Sequence, residues 1–63
     1  MSFQEKFKNA RKMKGLNQQQ LADELGLCRS AIAKYECGIS KPNFEKIKII
    51  HDMLDLSYEE IFE

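Results

Sequence analysis

The sequence predicts an all-α domain of five short helices, and three observations predict it. Leu, Ile, Ala, Met, Lys, Glu and Gln dominate, while valine and tryptophan are absent, a balance that favours helix over strand. Apolar residues recur at spacings of three and four and show no strand-like alternation. Residues that start and stop helices stand at the ends of those periodic runs. The 63 residues are read as one domain, 1–63. So short a chain buries only about 60 % of its unfolded surface, so every apolar side chain counts.

The first helix runs from about Phe3 to Lys14, with Phe3, Phe7 and Ala10 on one face. Ser2 is the expected N-cap, with Glu5 three residues on in the capping-box position. Gly15 closes the helix, and Lys12 and Lys14 lie in the last turn, where the helix dipole favours cations. The second helix starts after Asn17, an N-cap residue, and stops at Gly26. It is only two turns long and cannot persist alone, so it must dock through Leu21, Ala22 and Leu25.

The third helix begins at Cys28 and ends near Glu36, with Ile32 and Tyr35 inward, Leu27 just before it and Gly38 as its stop. After Ile39-Ser40-Lys41-Pro42, a fourth helix opens at Pro42 or Asn43 and reaches about Leu54. Its inner face is expected to hold Phe44, Ile47, Ile50 and Leu54. Ser57 caps a fifth, Tyr58–Phe62, with Glu59 and Glu60 in its first turn.

The formal net charge is zero, but the charge is segregated. Residues 1–42 carry eight Lys and Arg against four Asp and Glu, and residues 43–63 carry two against six. A basic front and an acidic back point to a polyanionic partner; the plain alternative is surface charge that keeps the chain soluble. Charge throughout Met1–Gly15 gives no signal-peptide pattern, and no run approaches the ~20 apolar residues of a membrane span. The expected compartment is the cytoplasm, with no membrane partner. Two cysteines, Cys28 and Cys37, are too few for a disulfide framework. Along a helix they would stand roughly 13 Å apart, beyond the reach of a bridge. One histidine, no Gly-rich phosphate loop, no metal-ligand spacing and no nucleophile–base pair argue against an enzyme. No cofactor or metal is expected.

The most specific signal lies in residues 18–37. Two short helices flank a turn at Gly26, with Ala22 four residues before it and Ile32 six after. Helices that cross steeply within a few residues need a small side chain where they nearly touch, and Ala22 supplies it. The turn needs a residue that tolerates positive φ, and Gly26 supplies that. With Leu21, Leu25, Leu27, Ile32 and Tyr35 inward, the outer face of the third helix keeps Arg29, Ser30, Ala33 and Lys34. That face is short-chained, polar and cationic, which suits a major groove.

The run from Ala10 to Glu36, together with Gly38, Pro42, the helix of Phe44, Ile47 and Leu54, and the closing Leu56-Ser57-Tyr58-Glu59-Glu60-Ile61-Phe62, resembles the Cro/C1-type, or XRE, helix-turn-helix family. The resemblance covers nearly the whole chain and implies a lambda-repressor-like DNA-binding domain. It implies base contacts from Arg29, Ser30 and Lys34 with Ala33 as apolar neighbour, and phosphate contacts from Asn17, Gln18, Ser40 and Lys41. Gln18 would also brace the recognition helix, and Arg11 and Glu36 would form an ion pair behind it. The plain alternatives are solvated surface cations at Arg29 and Lys34, an ordinary first-turn residue at Gln18, and separately solvated partners at Arg11 and Glu36.

Three residues depart from the family pattern. Cys28 replaces the usual Ser or Thr cap, which weakens the cap and places a thiol at a helix N-terminus. His51 stands where a small buried alanine is usual. Asp55 replaces a common glycine, which suggests a different stop for the fourth helix.

Ile49 and Met53 lie off the inner stripe of the fourth helix, and Tyr58, Ile61 and Phe62 add apolar area close by. In the repressors this chain resembles, the last helices form a two-fold dimer, so these five residues are expected to form a homodimer interface; otherwise they complete the core. The expected function is a transcriptional regulator, a repressor, that binds a palindromic operator in double-stranded DNA as a homodimer with helix 28–36 in the major groove. The alternative is a protein-binding module or antitoxin of the same fold, whose main partner is another protein.

Overall fold

The computed structural model describes residues 2–62. It is all-helical over that range, with α1 (Phe3–Met13), α2 (Gln18–Leu25), α3 (Arg29–Cys37), α4 (Phe44–Leu54) and α5 (Tyr58–Phe62). None of the helices is long and apolar enough to cross a membrane.

Local chemistry sets most helix ends. Asn17 Oδ1 accepts from the Gln20 N–H at 2.7 Å and the Asn17 N–H donates to Gln20 Oε1 at 2.8 Å, a full capping box for α2. Asn43 Oδ1 accepts from the Lys46 N–H at 3.0 Å and starts α4. Ser57 and Glu60 make the same reciprocal pair for α5, each bond 3.1 Å. Ser2 does not follow this pattern: its backbone is extended as a cap should be, but its side chain makes no cap bond. The expected capping box with Glu5 is absent. α3 ends at Gly38, φ +78, a left-handed backbone that selects glycine; an added Cβ would meet only the movable end of the Gln4 side chain.

Phe7, Leu21, Leu25, Ile32 and Ile50 are the fully buried centre of the core, one or more from each of α1 to α4. Phe7 stacks at a tilt on Phe3, ring centroids 5.4 Å apart, and meets Tyr35 edge-on at 5.9 Å, which fastens α1 to α3. Leu54, Leu56 and Ile61 close the core where α4 and α5 meet α1.

Phe44 is not on that inner face. It is 81 % exposed. It stands at an end of α4 that no other element covers, whereas Phe3, also first in its helix, is covered, so the buried stripe of α4 begins one turn later at Ile47. The Phe44 ring lies beside Phe62 instead, centroids 6.4 Å apart.

α4 stops in the left-handed region, φ 56, on Asp55 itself. The stop is therefore the one a glycine would make, and not a different one; Asp is among the few residues that visit this region. Lys14 reaches it at 2.8 Å. Its hydrogen bond and charge hold the Asp55 carboxyl below its usual range. The folded value is depressed, so this contribution is present above the usual carboxylate pKa and lost as pH falls through the folded value. Asp55→Asn keeps the left-handed stop and loses the charge. Thermal melts should show a slightly lower midpoint than wild type at neutral pH, no difference in acid, and no difference in high salt, because the pair is exposed. Equal melts at neutral pH and low salt would remove the bridge from the account.

His51 replaces the expected small residue by bonding: its Nδ1 lies 2.6 Å from the Leu56 carbonyl, which requires the proton on Nδ1. Its ring stacks on Tyr58 at 4.2 Å and 17°. One half-buried histidine thus pins the link between α4 and α5.

Candidate nucleic-acid interface

The turn between α2 and α3 follows from Gly26. Its φ of +69 is the left-handed value, and the Leu27 N–H then bonds back to the Ala22 carbonyl at 2.8 Å. Ala22 is fully buried beneath the crossing. Lys46 from α4 donates to the Leu25 carbonyl at 2.7 Å, at the negative end of α2. Lys46 was not singled out from sequence; a lysine on a polar face gives no sign that it will close another helix.

α3 buries Ile32 and Tyr35 and leaves Arg29, Ser30 and Lys34 exposed, with Ala33 half-buried between them. Burial pushes the Tyr35 phenol above its ordinary value, with Cys28 acting in the same direction, so the phenol stays protonated. Cys28 caps α3 by backbone shape alone, without a side-chain bond, and both Cys28 and Cys37 are exposed free thiols.

Behind α3 a chain of polar contacts ties the site to α1. Arg11 Nε donates to Glu36 Oε2 at 2.6 Å, and Nη2 to Oε1 at 3.2 Å. Arg11 Nη1 donates to the Leu16 carbonyl at 2.7 Å. The two charged side chains are only 10 % and 4 % exposed, so this is a bidentate buried pair and not two solvated ions. Gln18 Nε2 donates to Glu36 Oε1 at 3.2 Å, and Gln18 Oε1 accepts from Arg29 Nε at 3.4 Å. Buried cation, carboxylate, amide and exposed arginine thus form one line.

Arg11, Asn17, Gln18, Gln19 and Arg29 line an open polar recess of about 340 Å³ at the N-terminus of α2. The Arg11 charge there is already balanced by Glu36, so the α2 N-terminus and the exposed Arg29 guanidinium supply the positive potential of the recess. Asn17 is exposed there; its carbonyl oxygen serves the cap. Ser40 is half-buried and Lys41 exposed beyond the far end of α3.

The helix-turn-helix family model matches residues 7–61. The chain belongs to the XRE-type helix-turn-helix family. It is 39 % identical over 61 residues to the HTH-type transcriptional activator BcrR of Enterococcus faecalis, covering 97 % of this chain and 30 % of that protein. It is 40 % identical over 57 residues to the HTH-type transcriptional regulator YqaE of Bacillus subtilis, covering 90 % and 49 %. It is 36 % identical over 61 residues to the cryptic phage CTXphi transcriptional repressor RstR of Vibrio cholerae, covering 97 % and 54 %. The chain therefore spans about a third to a half of the length of these curated relatives.

The residues expected at a dimer interface divide. Tyr58 and Phe62 of this helix-turn-helix chain are exposed, at 45 % and 57 %. Ile49 and Met53 are half-buried against the core. Ile61 is 3 % exposed. It points the other way round α5, into the core, and offers no surface to a second chain; Phe44 stands in its place on the exposed apolar face.

Proposed function

We propose that this helix-turn-helix chain binds double-stranded DNA sequence-specifically and regulates transcription as a repressor, by occupying a promoter. α3 enters the major groove. Arg29, Ser30 and Lys34 read base edges, Ala33 gives apolar contact, and Asn17, Gln18, Ser40 and Lys41 hold phosphates. The observation that carries this reading is the three-residue polar, cationic face of α3, exposed while the opposite face is locked into the core. The polar recess at the start of α2 supports it as a phosphate seat. The relatives, one named an activator and one a repressor, agree on transcription regulation.

Two copies act together. One chain measures 25 × 22 × 21 Å, too small to place helices in two successive major grooves about 34 Å apart. A homodimer on a palindromic operator meets that spacing, with Tyr58 and Phe62, flanked by Ile49 and Met53, facing the partner.

Duplexes selected from a random pool test the reading. Binding should weaken steeply between low and moderate salt, as phosphate contacts require. Arg29→Ala should relax preference at one base pair by about 1–3 kcal/mol and leave the melting temperature unchanged. No shift of random duplex at low salt would overturn the reading in favour of a protein partner, and unchanged operator preference in Arg29→Ala would remove Arg29 from the base-reading set.

A further inference from the structure

We propose that Glu36, which lies behind the recess in contact with two of the residues that line it, is a positioning residue for base recognition: its charge sets which way the Gln18 amide faces, and thereby whether Arg29 is held. The inference rests on the DNA-binding reading above.

An ionised carboxylate only accepts hydrogen bonds. Glu36 Oε1 therefore draws the NH2 end of Gln18 toward itself, at 3.2 Å. The amide has one other end, its oxygen, and that end then points to Arg29, whose Nε donates to it at 3.4 Å. An arginine tied by Nε keeps both Nη groups free. Those two groups form the fork that grips N7 and O6 of guanine. Holding the fork in place before DNA arrives reduces the side-chain freedom lost on binding. Arg11 completes the arrangement: Nε and Nη2 occupy both Glu36 oxygens, at 2.6 and 3.2 Å, and fix the carboxylate plane. A pair whose plain role is to fasten α1 to α3 thus also orients a side chain on the DNA face.

Glu36→Gln reverses the link to Gln18 and also weakens the ion pair, so a second variant that spares the pair is read beside it. Its oxygen stays with Arg11 Nε, the shorter contact, which places the new NH2 against Gln18 and also against Arg11 Nη2, so the ion pair loses its charge and one of its two bonds. A donor there turns the Gln18 amide over, so that NH2 faces Arg29 and repels it. One acceptor remains for Arg11 Nε, and the hold on Arg29 is lost. Gln18→Met removes the link without touching the ion pair.

The experiment uses the full chain and a duplex selected from a random pool, with dissociation constants measured for that duplex and for single base-pair variants at one salt concentration. Arg29→Ala marks the base pair that Arg29 reads. Glu36→Gln should lose about ten-fold discrimination at that pair and little elsewhere. Gln18→Met should lose the same discrimination, beside a uniform weakening from its phosphate contact. Adding Glu36→Gln to Gln18→Met should cost no further discrimination, because the link is already broken. If Glu36→Gln or Gln18→Met weakens every duplex equally and keeps the wild-type ratio, the positioning role is overturned. If circular dichroism shows that Glu36→Gln fails to fold, Gln18→Met alone decides by the same ratio. A wild-type chain that discriminates among no duplexes overturns the DNA reading, and this inference with it; intact wild-type discrimination with unchanged variant ratios overturns this inference alone.

Discussion

Arg11→Ala should strongly destabilise the protein. The Glu36 side chain is 4 % exposed. Without Arg11 its charge keeps only the single contact from Gln18, and the Leu16 carbonyl loses the donor it has at 2.7 Å. Removing one partner of a buried pair costs about 3–5 kcal/mol. A domain of this size has only about 3–9 kcal/mol of stability to lose, at the usual 0.05–0.15 kcal/mol per residue. Urea denaturation followed by circular dichroism should therefore show a midpoint at least a third below that of wild type. The double variant Arg11→Met with Glu36→Leu should recover most of the loss, because the stranded charge, and not the missing attraction, is the main cost. A single variant within about 1 kcal/mol of wild type would mean that water reaches the carboxylate and that the pair behaves as a surface one.

How much of this was legible in the sequence depended on how local the cause is. The turn around Gly26 could be read because its determinants stand within a few residues of one another: a cap at Asn17, a small residue at Ala22, a positive-φ residue at Gly26 and an apolar anchor at Ile32. The exposed set Arg29, Ser30 and Lys34 followed from helical periodicity alone. Contacts between distant residues were not legible in that way. Arg11 and Glu36, 25 positions apart, were joined only by resemblance to a family. Nothing in the sequence marks the Lys46 contact to the Leu25 carbonyl or the His51 contact to Leu56. Periodicity also misled at helix ends. Phe44 fits the inner stripe by spacing, yet it sits at the end of α4 where no other element reaches over it, which spacing cannot foresee. Ile61 sits in a helix of five residues, too short for spacing to tell one face from another. At Asp55 residue identity suggested a changed stop, where the backbone instead takes the same left-handed turn with a side chain that can tolerate it.

Phe62→Asp combined with Phe44→Asp should abolish dimerisation and sharply weaken operator binding while leaving the fold intact. Phe44 and Phe62 are 81 % and 57 % exposed and lie side by side, their centroids 6.4 Å apart. Tyr58, 45 % exposed, stands one turn before Phe62. Neither phenylalanine is in the buried core, Phe44 mostly and Phe62 more than half exposed, so the variant should still fold, with a melt of dilute protein only modestly below wild type. Across a two-fold interface each substitution occurs twice, so four carboxylates would face one another in place of four rings, a repulsive arrangement as well as a loss of apolar contact. A dimer makes the second half-site contact intramolecular, and losing that advantage costs about 10²–10⁴-fold in affinity. Dissociation constants for the full operator should rise by that factor, while those for an isolated half-site should not change. Sedimentation of the free protein and on the operator separates the causes. If the double variant still sediments as a dimer, the partner lies against another face. If wild type is a monomer both free and on the operator, the homodimer itself is excluded, and the exposed aromatic face needs a different occupant.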